Sequence, residues 1–582
     1  MRKPVIELSG ISFTYPGAEQ AVLQDVSLRL MKGDFTAVIG SNGSGKSTLC
    51  KCFNGLIPHY YTGEFSGEAV ICGKPAAGRS VAELSRHIGY VYQDFENQLV
   101  RPTVLDDVSF TPLNYGFADY KERGERALAL TGLSELRHEF VWQLSGGQKH
   151  LLALAGALAM DPEILVIDEP VAQLDPQHAR HIYDILRRLN EQHGKTIVVI
   201  EHHAEFIAEY CRKVVLMDNG SVRWHKPVRE ALSSVQELLA LGIYPPDVTR
   251  AAWMLQPGGS QERLLPLSVE EGRLLMVRRA DLPEESARAE LPYGQAVTDI
   301  RQGETIVELN SVQLSYRTIH KTLHPVLNGI ELKLGQGESV ALIGNNGAGK
   351  SSLMKLIAGI ARPSSGTVQV NGMTVNGLPP ERLSGTVAYV FQNPEEMFIE
   401  DSVEKEIAYY LKARKLADAE ARTAEMLASF RLSELAGRDA RLLSGGQQRR
   451  VSLAVGAAVR PAIMLLDEPT ANLDISTRQE MVSVLKTLRS HVKTVVIATH
   501  DMQLVSEWAS RIIVLHQGQI IADGTKDEIF ADSLLLRRAG LAETQLMELG
   551  RNLGLPGICS SLEQFVSRAE LQREAAGTYG GC

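Results

Sequence analysis

The segment GSNGSGKST at residues 40–48 recurs as GNNGAGKSS at 344–352, and this self-similarity constrains the fold more than any other feature of the chain. The offset is 344 − 40, or 304. Further matches follow in register: Gln93 with Gln392, LSGGQ at 144–148 with 443–447, and Asp168-Glu169 with Asp467-Glu468 are each 299 apart, and His202 with His500 is 298 apart. So small a drift over the length of a domain requires two copies of one fold with minor loop changes. A chain of 582 residues is too long for one core and suits two domains. The repeat also runs past these motifs: LLALGIYPPDV at 238–248 resembles LLLRRAGLAETQL at 534–546, with Gly242 and Gly540 again 298 apart. The expected organisation is a first domain at 1–232, a helical appendix and linker at 233–305, a second domain at 306–530 and a C-terminal helical appendix at 531–582. The stretch from Gln256 to Thr305, with PGGSQE and DLPEESARAELP, reads as appendix ending in linker.

Each copy carries a phosphate loop in the required context. Gly40, Asn42, Gly43, Gly45, Lys46, Ser47 and Thr48 follow the apolar strand Phe35–Ile39 and lead into a helix-like run. Gly344, Asn346, Gly347, Gly349, Lys350, Ser351 and Ser352 follow the strand Ser339–Ile343. The glycines let backbone N–H groups turn inward around phosphates, and the helix N-terminus adds partial positive charge. Lys46 and Lys350 can reach the β- and γ-phosphates of ATP, while Ser47 and Ser351 can offer hydroxyls to Mg²⁺. The pattern GxxxxGK[ST] arises by chance on the order of once in fifty chains of this length; two copies in the right context are not chance. Downstream, Ile164–Asp168 and Ile463–Asp467 are apolar runs that end in paired carboxylates, as buried parallel strands do where they meet a ligand. The first carboxylate of each pair, Asp168 or Asp467, would hold Mg²⁺. The second, Glu169 or Glu468, would orient or deprotonate the attacking water.

A phosphate loop, then a glutamine, then LSGGQ shortly before the Asp-Glu strand, then a histidine after another strand: this order resembles the ATP-binding-cassette (ABC) ATPases, over about 5–245 and 306–545. The resemblance implies an α/β fold of two P-loop NTPase cassettes in tandem. Each would have a mixed or parallel sheet core, a helical signature subdomain and a short C-terminal helical appendix. It implies ATP hydrolysis at composite sites in an intramolecular pseudo-dimer. ATP on Lys46 would be closed over by Ser444, Gly445 and Gly446, and ATP on Lys350 by Ser145, Gly146 and Gly147. Gln93 and Gln392 resemble the glutamine that senses Mg²⁺ and water, and His202 and His500 the switch histidine that contacts the γ-phosphate. His500 is followed by the family's usual Asp501, His202 by His203, which reads as a bystander. Tyr15 and Tyr316 stand where the family stacks an aromatic on adenine; the other reading is a core or strand-face tyrosine. Asp175 and Asp474 resemble aspartates that communicate across the dimer.

Within that family the segments QDFENQLVRPTVLDDVSF at 93–110 and QNPEEMFIEDSVEKEIAYY at 392–410 resemble the tandem ATPases of energy-coupling-factor (ECF) importers, which take up vitamins, their precursors or transition-metal ions. That implies a polytopic membrane coupling subunit as partner and, in that group, a small membrane protein that binds the substrate, with this chain peripheral on the cytoplasmic face of the membrane. The longest apolar stretches, such as Leu151–Met160, fall short of the roughly 20 residues a span needs. Two alternatives are the ATPase of an ABC exporter and a soluble tandem-cassette ATPase acting on the ribosome. The second is disfavoured: the net charge is −9, and residues 226–305 carry nine Lys/Arg against twelve Asp/Glu, a poor match to nucleic acid. Cys50, Cys52, Cys72, Cys211, Cys559 and Cys582 are accompanied by no CxxC pair or His-Cys cluster of the kind a zinc site needs; Cys50 and Cys52 read as packing residues.

Overall fold

The computed structural model describes residues 3–171, 174–256, 264–280, 303–317, 323–471, 473 and 475–579. It divides into two compact units, Met1–Ala280 and Asp281–Cys582. In the first unit the strands are β1 (Pro4–Thr14), β2 (Leu23–Met31), β3 (Phe35–Ile39), β4 (Glu64–Ile71), β5 (Lys74–Pro75), β6 (Ile88–Val91), β7 (Ile164–Asp168), β8 (Thr196–Ile200), β9 (Lys213–Asp218) and β10 (Ser221–Pro227). Buried and outward residues alternate in β2, the pattern of an antiparallel sheet with one packed face. The first sheet runs in the order β2-β1-β4-β5. By contrast β3, β7 and β8 are buried at every residue, as parallel strands covered on both faces must be. They lie in a six-stranded sheet, β10-β9-β3-β8-β7-β6, parallel except that β10 returns antiparallel to β9.

The two-residue period of a strand divides β3 and β7 between two cores. Phe35, Ala37, Ile39, Leu165 and Ile167 face a core shared with the helices, including Leu152 and Leu154 of Gly146–Leu158. Val38, Ile164 and Val166 face the antiparallel sheet. Each fully buried Val, Leu, Ile or Phe among them contributes about 1.5–3 kcal/mol. Between β6 and β7 lie the helices Val104–Val108, Phe110–Asn114, Tyr120–Thr131 and Gly146–Leu158; after β10 come Val228–Ser233, Val235–Ala240, Asp247–Met254 and Val269–Ala280.

The second unit repeats the plan. Its strands are β11 (Thr305–Arg317), β12 (Leu323–Gly335), β13 (Ser339–Ile343), β14 (Ser365–Val370), β15 (Met373–Thr374), β16 (Val387–Val390), β17 (Ile463–Asp467), β18 (Thr494–Thr499), β19 (Arg511–His516) and β20 (Gln519–Thr525). The sheet orders are β12-β11-β14-β15 and β16-β17-β18-β13-β19-β20. Helices Val403–Ala413, Ala419–Ser429 and Gly445–Ala458 precede β17, and four more, from Lys526–Ala531 to Leu562–Tyr579, follow β20. Among the described residues no helix is long and apolar enough to cross a membrane.

Parallel pairing is what builds a site. Val38 and Asp168 both stand opposite Ile200, so the loop after β3, the carboxylates ending β7 and the histidines after β8 leave the sheet at one edge. In the second unit Ile343 is opposite Thr499 and Asp467 opposite Ala498, with the same result.

Candidate functional site

Glycine is required at the mouth of each phosphate loop for a steric reason. A Cβ on Gly40 would stand 2.5 Å from the Met217 carbonyl oxygen, and one on Gly344 would collide with that of Leu515. Gly45 and Gly349 cap the following helices in left-handed conformation, with φ of 96° and 103°, so the helices begin directly at Lys46 and Lys350. Lys46 Nζ donates to the carbonyls of Gly40 and Ser41, each at 2.9 Å. Lys350 Nζ donates to those of Gly344 (2.8 Å) and Asn345 (3.2 Å). Both buried ammonium groups are thereby held within their own loops.

Asp168 and Asp467 sit beside these loops, hydrogen-bonded to Ser47 and Ser351 respectively. Burial pushes Asp168 up to about 6, against the Ser47 hydroxyl and with the Glu169 charge. Burial likewise raises Asp467, which accepts from the Tyr389 hydroxyl at 2.9 Å. Its other oxygen, Oδ1, is buried with no hydrogen-bond partner. A serine hydroxyl beside a buried carboxylate with an oxygen to spare is a donor set that fits Mg²⁺.

The next residue of each pair meets the histidine. Glu169 Oε1 is 3.1 Å from His202 Nε2, and Glu169 Oε2 accepts from Gln93 Nε2 at 2.7 Å. Glu468 Oε1 is 2.9 Å from His500 Nδ1, and its Oε2 accepts from the Thr499 hydroxyl at 2.9 Å. Burial opposes both charges of the second pair, yet pairing prevails: His500 is raised, and Glu468 is lowered by His500 and then Lys350. Lys350 Nζ lies 3.8 Å from Glu468. The two units thus assemble the same four groups with different ring nitrogens. Gln392, like Gln93, is exposed.

Ser145 and Ser444 both cap helices, Gly146–Leu158 and Gly445–Ala458, in reciprocal capping boxes with Gln148 and Gln447. Tyr15 packs edge-on against Phe13 and its hydroxyl lies 3.3 Å from that of Thr48, while Tyr316 is exposed. Asp175 is fully buried and caps the helix Pro176–Glu191; Asp474 lies outside the described residues.

Glu201 belongs to no motif in the sequence, yet it holds the turn that carries His202. It occupies the place of Thr499, is buried, and accepts from the Tyr183 hydroxyl at 2.6 Å and from the backbone N–H groups of His202 and His203; the His203 ring nitrogen lies 2.9 Å away. His203, read as a bystander, therefore anchors the turn that carries His202. In the second unit Asp501 does this, capping Met502–Trp508 and accepting from Thr470. Glu-His-His against Thr-His-Asp marks the position as different in the sequence, while its role rests on Tyr183, which only the fold brings to it.

The sequence profile of the ABC transporter family matches residues 23–172 and 327–471. A protein of Methanosarcina acetivorans named as an ABC transporter ATP-binding protein is 34% identical over 95% of this chain and 91% of its own length. One of the same name from Vibrio vulnificus is 32% identical, covering 98% of each. The solved structure of cbiO1 from Clostridium perfringens, described as part of the ABC transporter complex cbiONQ, is 30% identical over 41% of this chain and 95% of its own, with a TM-score of 0.37.

Proposed function

Since the chain belongs to the ABC transporter family and is an ATPase of that family, we propose that it is the energy-coupling subunit of an ECF-type importer of a vitamin, vitamin precursor or metal ion, peripheral on the cytoplasmic face of the membrane. The observation that carries this is the duplication of a complete hydrolytic set. Each unit holds a loop lysine, a buried aspartate on a loop serine, and a glutamate bound to a histidine. Mg²⁺, held by Ser47 and Asp168 or by Ser351 and Asp467, with Gln93 or Gln392 directly or through water, would neutralise phosphate charge. Lys46 and Lys350 bind the β- and γ-phosphates. Glu169 and Glu468 position the attacking water and take its proton, as its oxygen bonds to the γ-phosphorus and the bond to the β–γ bridging oxygen breaks, giving ADP and phosphate. His202 and His500 hold the glutamates and contact the γ-phosphate. Ser145 and Ser444, at helix N-termini, complete the pocket of the opposite unit.

The coupling role is supported by a segment that both units hold alike. After Gln93, the N–H groups of Val100 and Arg101 both donate to the buried Asp107 Oδ1, at 2.7 and 2.8 Å. After Gln392, those of Ile399 and Glu400 donate to the buried Glu406, each at 2.6 Å. These clamps leave Val100 and Ile399 58% and 57% exposed, apolar contacts suited to a membrane subunit's helix.

Replacing Glu169 and Glu468 together by Gln keeps the hydrogen-bonding shape but removes the base. Nucleotide binding is expected to persist while steady-state phosphate release falls by at least about 100-fold; release at the wild-type rate would reject these roles. Mild detergent extraction is expected to recover the chain with a polytopic membrane protein. Recovery with ribosomes instead, lost at high salt, would overturn the transport assignment.

A further inference from the structure

Cys72, His87 and Glu163 come from three separate places in the first unit: the turn between β4 and β5, the residue before β6 and the residue before β7. No sequence spacing joins them, yet the Cys72 sulfur, a His87 ring nitrogen and a Glu163 carboxylate oxygen all lie within 4.8 Å of one another. His87 Nδ1 is 3.8 Å from Glu163 Oε1. Lys32 Nζ donates to the other oxygen, Oε2, at 3.2 Å, leaving Oε1 toward the histidine. All three side chains are partly exposed, so solvent reaches the cluster.

The second unit supplies a control. Cys72 and Asn371 both donate their N–H to the first strand of their unit, at Val5 (2.8 Å) and Ile306 (2.7 Å). His87 and Thr386 both accept from the strand that bears the Asp-Glu pair, at Ile164 and Ile463, each at 3.0 Å. Ala462 precedes β17 as Glu163 precedes β7. The fold therefore forms with Asn, Thr and Ala at these places. The turn residue is left-handed in both units, φ 51° at Cys72 and 49° at Asn371, a conformation asparagine favours and cysteine does not. The first unit thus bears a thiol at a position whose backbone selects against it, and His87 and Glu163, which stand beside that thiol, are both of metal-ligating type.

We propose that Cys72, His87 and Glu163 bind a zinc ion. Sulfur, imidazole nitrogen and carboxylate oxygen are the donors Zn²⁺ takes, at about 2.0–2.3 Å in tetrahedral geometry, which places ligand atoms about 3.3–3.8 Å apart. The His87–Glu163 separation already meets that span, and side-chain rotation at Cys72 closes the remainder. Water takes the fourth position. Binding converts the Cys72 thiol to a thiolate and releases its proton to solvent. The ion ties the antiparallel sheet to the starting ends of β6 and β7, the edge of the parallel sheet opposite the phosphate loop, so it binds independently of nucleotide.

The test is a cobalt titration of the full chain in excess Mg²⁺ without nucleotide, followed by zinc competition. The wild-type chain is expected to develop a near-ultraviolet thiolate-to-cobalt band at one equivalent, and zinc to abolish it. Cys72→Asn should remove the band. His87→Thr and Glu163→Ala should each weaken affinity at least about tenfold, since even outer-shell changes cost that much. These variants carry residues that the second unit tolerates, and an unchanged circular dichroism spectrum confirms that they fold. No band in the wild type, an undiminished band in Cys72→Asn, or unchanged affinity in both other variants would overturn the site.

Discussion

His150 illustrates how one position can differ between copies of a fold. It lies in the helix after LSGGQ, buried, stacked on Phe95 with ring centroids 4.4 Å apart, and its Nδ1 has no hydrogen-bond partner. The second unit places Arg449 there, also buried, with Nη1 donating to the Phe391 carbonyl at 3.1 Å. Burial without a counter-charge lowers His150 from 6.5 to about 4. The unfolded chain therefore binds the proton more tightly, and stability is lost as pH falls from about 6.5 toward 4. Between pH 7.5 and 5 this one group accounts for about 2 kcal/mol. His150→Phe keeps the ring and removes the titration, so its denaturant midpoint should fall less than the wild type's over that interval; equal falls would place His150 among ordinary exposed histidines. Residues whose chemistry is local were legible in the sequence: the loop lysines, the paired carboxylates and the histidines after β8 and β18 each stand where their motif predicts. Glu201 was not, because its role depends on Tyr183, which a helix and a strand bring against it from 18 residues away.

Helices that begin with two glycines need help to start where they do. Gly146–Leu158 and Gly445–Ala458 both open on Gly-Gly, each glycine costing about 0.5–1 kcal/mol in a helix. The capping boxes offset this: Ser145 Oγ accepts from Gln148 N at 3.3 Å and Gln148 Oε1 from Ser145 N at 2.9 Å, and Ser444 and Gln447 repeat the exchange at 3.4 and 3.1 Å. Ser145→Ala is expected to lower unfolding free energy by about 1 kcal/mol, and Ser145→Asn by a few tenths, measured by denaturant titration. Equal losses would show that the cap is not what fixes the helix start. Elements with strong patterns were readable: the buried runs of β3, β7, β13 and β17 and the helix after each signature. The 3₁₀ turns Phe95–Gln98 and Pro394–Met397 were not, since they are held by tertiary contacts, such as that between Gln98 Nε2 and the Tyr90 carbonyl at 3.0 Å, rather than by periodicity.

At the scale of the whole chain, duplication itself makes a prediction, because two copies in one polypeptide allow pockets to be shared or separate, and paired substitutions tell these apart. In the shared arrangement proposed here Lys46 and Ser444 serve one triphosphate, and Lys350 and Ser145 the other. Lys46→Ala with Ser444→Ala then removes the same pocket twice. Lys46→Ala with Ser145→Ala removes one element from each. In a background carrying Glu169→Gln and Glu468→Gln, where bound ATP is not consumed, the first pair should retain about one tightly bound ATP per chain and the second close to none. Separate pockets would reverse the order, because Lys46 and Ser145 would then belong to one site. The cap loss expected for each serine, about 1 kcal/mol, is small beside the 5–15 kcal/mol that holds a domain folded. The contrast in stoichiometry therefore reports on which unit lends its serine to which phosphate, not on unfolding.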